Sequence, residues 1–137
     1  MRYAPDGLIL KMRLLVIAVV DDDEMVRTGL ERLLRTSGYP VSAFASAEEF
    51  LASGRLQECR CLIADIRMPG MSGLDLQSQL NAEGYRIPII FITAHGDEKM
   101  RIRAMKDGAV AFLAKPYDNA VLLDRVRACL NVPQDEK

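Results

Sequence analysis

The chain has 137 residues and a net charge of −1, from 18 lysines and arginines against 19 aspartates and glutamates. Half of the residues are hydrophobic, which together with the length predicts one globular domain and excludes a disordered chain. The near-neutral charge argues against a strongly basic nucleic-acid-binding protein. The three cysteines, Cys59, Cys61 and Cys129, exclude a disulfide framework and a four-cysteine zinc site, and they suit a reducing, cytoplasmic location.

The chain alternates short apolar runs with helical patterns. The apolar runs predict buried strands over 14–20, 41–44, 61–64, 87–92 and 109–114. Periodicity and capping signals predict helices before Gly38, around Phe50, from Leu74 to about Gly84, and over 97–107 and 118–130. The longest apolar run, 14–20, is too short to span a bilayer, and no signal-peptide cleavage site follows it. Five strand–helix units predict an α/β domain with a parallel sheet that is covered on both faces.

Polar side chains follow four of the five predicted strands. They are Asp21, Asp22 and Asp23 after the first strand, Asp65 after the third, Thr93 after the fourth, and Lys115 with Pro116 after the fifth. Ligands of such sheets bind outside the carboxyl ends of the strands, so we expect these side chains to share one shallow pocket.

The pocket has the parts for phosphoryl transfer. The carboxylates of Asp21, Asp22 and Asp65 would repel one another unless a divalent cation lay between them, and oxygen ligands in an open site favour Mg²⁺. Lys115 and the Thr93 hydroxyl could stabilise charge on a phosphoryl group, with a carboxylate as nucleophile. No histidine or cysteine follows these strands, so acyl transfer by a catalytic triad is excluded.

Four segments, VVDDDEMVR, LIADIRMPGMSGLDL, IPIIFITAHGD and AMKDGAVAFLAKPY, resemble the receiver domain of bacterial two-component response regulators, specifically the FixJ type. The resemblance implies a (βα)5 flavodoxin-like fold with a five-stranded parallel sheet in the order 2-1-3-4-5. It implies a receiver domain over 14–131, an N-terminal extension over 1–13, and a polar tail or truncated linker over 132–137.

The resemblance also implies a role for each pocket residue. Asp65 matches the phosphoacceptor, and Asp22 (directly) and Asp21 (mainly through water) match the residues that bind Mg²⁺ together with the backbone carbonyl of Arg67. Thr93 matches the switch hydroxyl, and Lys115 matches the lysine that pairs with the phosphoryl group.

Further positions follow from the same resemblance. Phe112 matches the aromatic switch position, although a Phe in AVAFLA is as readily a core residue. Arg67 and His95 match positions that tune the lifetime of the phosphoryl group, and the bond before Pro116 is expected to be cis.

The function implied is a phosphorylation-dependent switch and not a metabolic enzyme. A sensor histidine kinase would phosphorylate Asp65, and only self-catalysed phosphotransfer and autodephosphorylation would follow. Phosphorylation would change the surface of the fourth helix, fifth strand and fifth helix, with a phosphorylation-dependent homodimer as one outcome. The domain itself would bind neither nucleic acid nor membrane. Its output would be a partner protein or a domain missing from this chain.

Two other functions remain open at this level. A haloacid-dehalogenase-like phosphohydrolase also uses an Asp nucleophile and Mg²⁺, and Asp21 and Asp23 have its DxD spacing, although Met25 occupies the Thr/Val position of that motif. A receiver-fold scaffold that takes no phosphate would usually lack Asp65 or Lys115. Outside the pocket, Met25, Met100 and Met105 are predicted to pack. The face with Lys99, Arg103 and Lys106 is predicted to be solvated, or to dock an acidic partner or a second copy of the domain.

Overall fold

Five parallel strands form the central sheet of the computed structural model, which describes residues 16–94 and 96–131. The strands are β1 (Val16–Val20), β2 (Val41–Phe44), β3 (Cys59–Asp65), β4 (Ile89–Thr93) and β5 (Ala111–Ala114). Their spatial order is β2-β1-β3-β4-β5, and each neighbouring pair is parallel. The predicted fold class and strand order are therefore confirmed.

Five helices connect the strands and cover both faces of the sheet. They are α1 (Glu24–Thr36), α2 (Ala47–Ala52), α3 (Gly73–Ala82), α4 (Glu98–Lys106) and α5 (Asn119–Leu130), with a 3₁₀ turn at Leu56–Glu58. Each α-helix begins after a side chain that accepts a hydrogen bond from its first turn, and Ser72 with Asp75 forms a complete capping box on α3. The helices therefore start at the positions where the sequence supplies Asp or Ser caps.

The core consists of two apolar layers, one on each face of the sheet. One layer packs α2, α3 and α4 around residues such as Phe50 and Phe91, and the other packs α1 and α5 around residues such as Leu34 and Ile90. Alternating residues of a strand point to opposite faces, so the apolar runs of β1, β3 and β4 serve both layers. The three cysteines are free thiols buried in these layers.

The boundaries of three strands differ from the predicted ones. Strand β3 begins at Cys59 instead of residue 61, because Cys59 already pairs with Val16 of β1, and it includes Asp65 as its last residue. Strand β5 begins at Ala111 instead of residue 109, because the Ala109 N–H donates to the Ala104 carbonyl and closes α4 behind Gly108. Strand β4 begins after Pro88 and includes Thr93 as its last residue. Proline has no N–H for a sheet ladder, so the strand starts at Ile89 instead of residue 87.

The predicted packing of the three methionines is wrong for two of them. Met25 is 85% exposed at the start of α1, and Met105 is also exposed, whereas Met100 packs against the core. Lys99, Arg103 and Lys106 are all exposed, as a solvated face requires.

Among the described helices none is long and apolar enough to cross a membrane. The predicted extension over 1–13, the tail over 132–137 and His95 lie outside the described residues.

Candidate functional site

The register of the sheet brings the predicted site residues to one edge. Val20 pairs with Ala64, so Asp21 and Asp65 follow adjacent strand ends. Asp65 in turn pairs with Ile92, the residue before Thr93, and Thr93 pairs with Ala114, the residue before Lys115. The fold therefore gathers side chains that are up to 94 positions apart in sequence.

An acidic cluster lies at the centre of this edge. Carboxylate oxygens of Asp21, Asp22 and Asp65 lie within 4.8 Å of one another. Asp21 is buried, Asp65 is partly buried and Asp22 is exposed, so the cluster has a closed inner side and an open outer side. The carboxylate of Asp65 is thus accessible to a reactant while the strand end holds its backbone in place.

Lys115 follows β5, an edge strand of the sheet, and its side chain reaches the acidic cluster. Its Nζ lies 3.3 Å from Asp65 Oδ2 and 3.4 Å from Asp21 Oδ2. Its backbone N–H donates to the Thr93 carbonyl, and the Lys115–Pro116 peptide bond is cis. Burial acts to lower the pKa of the Lys115 ammonium, but the charges of Asp21 and Asp65 outweigh it, so the pKa is raised. Lys115 therefore remains a cation between the two carboxylates at neutral pH.

Asp21 is the most constrained carboxylate of the cluster. Its Oδ1 accepts from the Asp23 N–H at 2.9 Å, and its backbone carbonyl accepts from Arg27 Nη1 at 2.7 Å. Burial raises the pKa of its carboxyl despite the hydrogen bond from the Asp23 N–H and the nearby Lys115 ammonium, which act to lower it. Ionisation of Asp21 therefore lowers the stability of the folded protein.

Asp65 is positioned by the loop that follows β3. Its Oδ1 accepts from the Arg67 N–H at 3.3 Å, and the Gly73 N–H donates to the Ile66 carbonyl at 2.8 Å. A Cβ atom on Gly73 would collide with the backbone carbonyl of Asp65. The first residue of α3 must therefore be glycine for the helix to approach the site this closely.

Thr93 and Phe112 meet at Gly96 beside the cluster. A Cβ built on Gly96 would lie 2.6 Å from the Thr93 Cγ2 methyl and 2.8 Å from Cζ of the Phe112 ring. Thr93 is buried and Phe112 is partly buried against the core layer that contains Phe91. The ring of Phe112 is thus a core residue that also touches the loop next to Thr93.

The donor set fits a hard divalent cation. Three carboxylates and one ammonium leave an excess of negative charge, and every side-chain ligand atom of the cluster is an oxygen. Oxygen ligands with an open outer side suit Mg²⁺, which keeps several of its waters. The residues present therefore agree with the predicted metal.

The alternative phosphohydrolase reading lacks support. Asp23, which would be the second carboxylate of a DxD motif, accepts from the Met25 and Val26 N–H groups and caps α1. The Asp23 carboxylate is thus a helix cap and is not among the three carboxylates that lie close together.

Sequence reasoning missed three residues of the site. Gly73 and Gly96 matter because of through-space contacts with Asp65 and Phe112, for which no local pattern exists. Arg27 donates to the Asp21 carbonyl across six positions, and the helical spacing of DDDEMVR could have indicated that approach.

Comparison with known proteins agrees with the geometry. The family model described as "Response regulator receiver domain" matches residues 17–127. The response regulator protein TodT of Pseudomonas putida is 46% identical over 122 residues, which are 89% of this chain and 54% of that protein. The transcriptional regulatory protein FixJ of Azorhizobium caulinodans is 45% identical over 116 residues, covering 85% of this chain and 55% of that protein.

Solved structures give the same result. The structure titled "crystal structure of FixJ-N" matches with a TM-score of 0.79 and 37% identity over 88% of this chain and 97% of that one. The chain spans about half the length of the curated relatives it matches. It belongs to the response regulator receiver domain family and is a FixJ-type receiver of two-component signalling.

Proposed function

We propose that Asp65 accepts a phosphoryl group from a phosphohistidine of a sensor kinase. The observation that carries the proposal is the position of the partly exposed Asp65 carboxylate, 3.3 Å from Lys115 Nζ and beside two further carboxylates. A carboxylate oxygen of Asp65 attacks phosphorus, the phosphorus–nitrogen bond breaks, and the imidazole leaves with its electron pair. The product is an acyl phosphate that carries about 1.5 to 2 negative charges.

Two side chains of the site would bond the transferred group directly. Lys115 would follow the new negative charge and pair with one phosphoryl oxygen, and the Thr93 hydroxyl would donate to another. Asp22, Asp65 and the backbone carbonyl of Arg67 would hold Mg²⁺, with Asp21 contributing mainly through water. The ion would supply positive charge against the phosphoryl oxygens. Arg67 and His95, which follow Asp65 and Thr93 by two positions, would tune the lifetime of the acyl phosphate.

The switch would pass from Thr93 to the outer surface through Phe112. When Thr93 moves toward the phosphoryl group, the Phe112 ring would take up the vacated space. Because phenylalanine has no hydroxyl, the signal at this position would be a change in packing. The surface of α4, β5 and α5 would then change in population between two states.

The partners follow from this chemistry. A sensor histidine kinase would be the phosphoryl donor, and a second phosphorylated copy could pair through α4, β5 and α5. The buried free thiols of Cys59, Cys61 and Cys129 suit a reducing compartment such as the cytoplasm. Autodephosphorylation by water would reset the domain.

The test is Mg²⁺-dependent labelling with acetyl phosphate. Wild-type protein should incorporate close to one phosphoryl group per chain, and Asp65→Asn should incorporate none. Asp124→Asn, which removes an exposed carboxylate of α5 outside the site, is the matched control and should label like wild type. Stoichiometric labelling of Asp65→Asn would show that another residue is the acceptor.

A further inference from the structure

Helix α4 is attached to the domain by little apolar packing. Ala104 is its one buried residue, and Met100 is partly buried. The remaining residues are exposed: Glu98, Lys99, Arg101, Ile102, Arg103, Met105 and Lys106. A helix of this length is not stable by itself in water, so its contacts with neighbouring elements fix its position.

Two side-chain amides of α3 tie down the C-terminal end of α4. Gln77 Nε2 donates to the Ala104 carbonyl and Asn81 Nδ2 donates to the Asp107 carbonyl, each at 3.0 Å. Gln77 and Asn81 are four residues apart and therefore share one face of α3. The last carbonyls of a helix have few partners within the helix. The two amides add hydrogen bonds at this end of α4, where the Ala104 carbonyl also accepts from the Ala109 N–H.

Gln77 is a polar side chain in a buried position of α3. It is 1% exposed, and its Oε1 accepts no hydrogen bond from any residue in the part of the chain that the structure describes. An apolar side chain would avoid burying this carbonyl. The donor bond to Ala104 is therefore the interaction for which an amide is needed at this position.

The N-terminal end of α4 is held differently. The side chain of Asp97 accepts from the Met100 N–H, and Arg101 pairs with Glu98, so these polar bonds stay within the helix. The residue before this turn, Gly96, packs against Thr93 and the Phe112 ring. One end of α4 is thus tied to α3, and the other end contacts the residues beside the acidic cluster.

We propose that Gln77 and Asn81 form a pivot for α4. The amides hold the C-terminal end in place, so a displacement of Thr93 and Phe112 swings the N-terminal end and the exposed side chains between the two ends. The swing rests on the proposed phosphorylation of Asp65, whereas the fixed end is a property of the unphosphorylated protein. Gln77 and Asn81 are positioning residues and do not touch the reacting groups.

Amide hydrogen exchange of the unphosphorylated protein tests the fixed end. In the wild type, the amides of Asp107, Gly108 and Ala109 should exchange more slowly than those of Met100 and Arg101. Gln77→Met keeps the side-chain length, and Ala104 still accepts from the Ala109 N–H, so no carbonyl is orphaned. The variant should exchange faster at the amides of residues 107–109 by roughly fivefold, the factor for one typical net hydrogen bond.

The matched control is Gln79→Met on the same helix. Gln79 Nε2 donates to Glu83 within α3, so this variant should leave exchange in α4 unchanged. Urea unfolding of both variants measures their global free energy of unfolding. Faster exchange at 107–109 can then be distinguished from a general loss of stability. Unchanged exchange at 107–109 in Gln77→Met, or an equal change in Gln79→Met, would overturn the pivot.

Beryllofluoride with Mg²⁺, a mimic of the phosphoryl group, tests the swing. In the wild type, amide chemical shifts should change most at residues 96–101 and least at 107–109, whereas in Gln77→Met the changes should extend to 107–109. Equal changes along α4 in the wild type would contradict the pivot. If beryllofluoride does not bind, the proposed function fails, and the exchange experiment still decides whether the C-terminal end is fixed.

Discussion

Replacement of Asp21 by Asn should stabilise the protein in the absence of divalent cations. Asp21 is a buried carboxylate within 4.8 Å of the carboxylate oxygens of Asp22 and Asp65. The amide keeps the Oδ1 atom that accepts from the Asp23 N–H, so the local loop is retained. The substitution removes one negative charge from a cluster of three carboxylates that pairs with Lys115.

The size of the effect follows from the distances. At an effective dielectric of about 20, each carboxylate repulsion, taken at the 4.8 Å upper limit of separation, costs about 3.5 kcal/mol. The attraction between Lys115 and Asp21 at 3.4 Å contributes about 5 kcal/mol. Loss of two repulsions and one attraction gives a net gain of about 2 kcal/mol. Screening of the exposed Asp22 lowers this gain and relief of the burial of Asp21 adds to it, so we expect about 1–2 kcal/mol.

The difference in the free energy of unfolding between Asp21→Asn and the wild type should increase with pH. Burial raises the pKa of Asp21 in the folded state above its ordinary value of 3.8. The contribution of Asp21 to the free energy of unfolding is therefore fully present below pH 3.8, and it is lost as the pH rises through the raised pKa. The free energy of unfolding of Asp21→Asn should match the wild type at low pH and exceed it above this window.

Urea unfolding with EDTA, from about pH 3 to pH 8, measures the difference in the free energy of unfolding between Asp21→Asn and the wild type. Added Mg²⁺ should stabilise the wild type more than the variant, because Asp21 is one of the proposed ligands. Asp124→Asn is the control for loss of a surface carboxylate and should change stability by less than about 0.5 kcal/mol. A less stable Asp21→Asn protein in EDTA at neutral pH would refute the electrostatic reasoning.

Three glycine substitutions give further predictions. Gly73→Ala should destabilise the fold by about 3 kcal/mol or more in urea unfolding, because the new Cβ meets the Asp65 backbone carbonyl; a wild-type midpoint would contradict this. Gly29→Ala has open space around it within α1 and should stabilise by about 0.5–1 kcal/mol in the same assay. Gly96→Ala has no unusual backbone angle but meets the Phe112 ring, so the ring's NMR resonances should shift, and unchanged resonances would show that the contact is absent.

The strand ends were predictable because parallel strands impose a simple rule. Apolar runs mark the strands, and the polar residues directly after them must meet at one edge. This rule alone indicated that Asp21, Asp65, Thr93 and Lys115 would come together. The resemblance added the strand order and the assignment of Asp65 as phosphoacceptor.

Contacts between distant elements could not be predicted in this way. The approach of Gly73 to Asp65 and the hydrogen bond from Gln77 to Ala104 depend on how helices sit on the sheet. Methionine is an apolar residue, which favours packing of Met25 in the core. Met25 lies instead in the first turn of α1, where its side chain is exposed to solvent. The start of β5 was misjudged because the closing bond of α4 uses the Ala109 N–H.

The most direct measurement is chemical mapping of the phosphorylated residue. Protein treated with acetyl phosphate and Mg²⁺ is reduced with borohydride, which converts an aspartyl phosphate to homoserine, and its peptides are then sequenced by mass spectrometry. We predict homoserine at position 65 and nowhere else. Homoserine at position 21 or 22, or its absence from a protein that has taken up phosphate, would contradict the assignment of Asp65 as the acceptor.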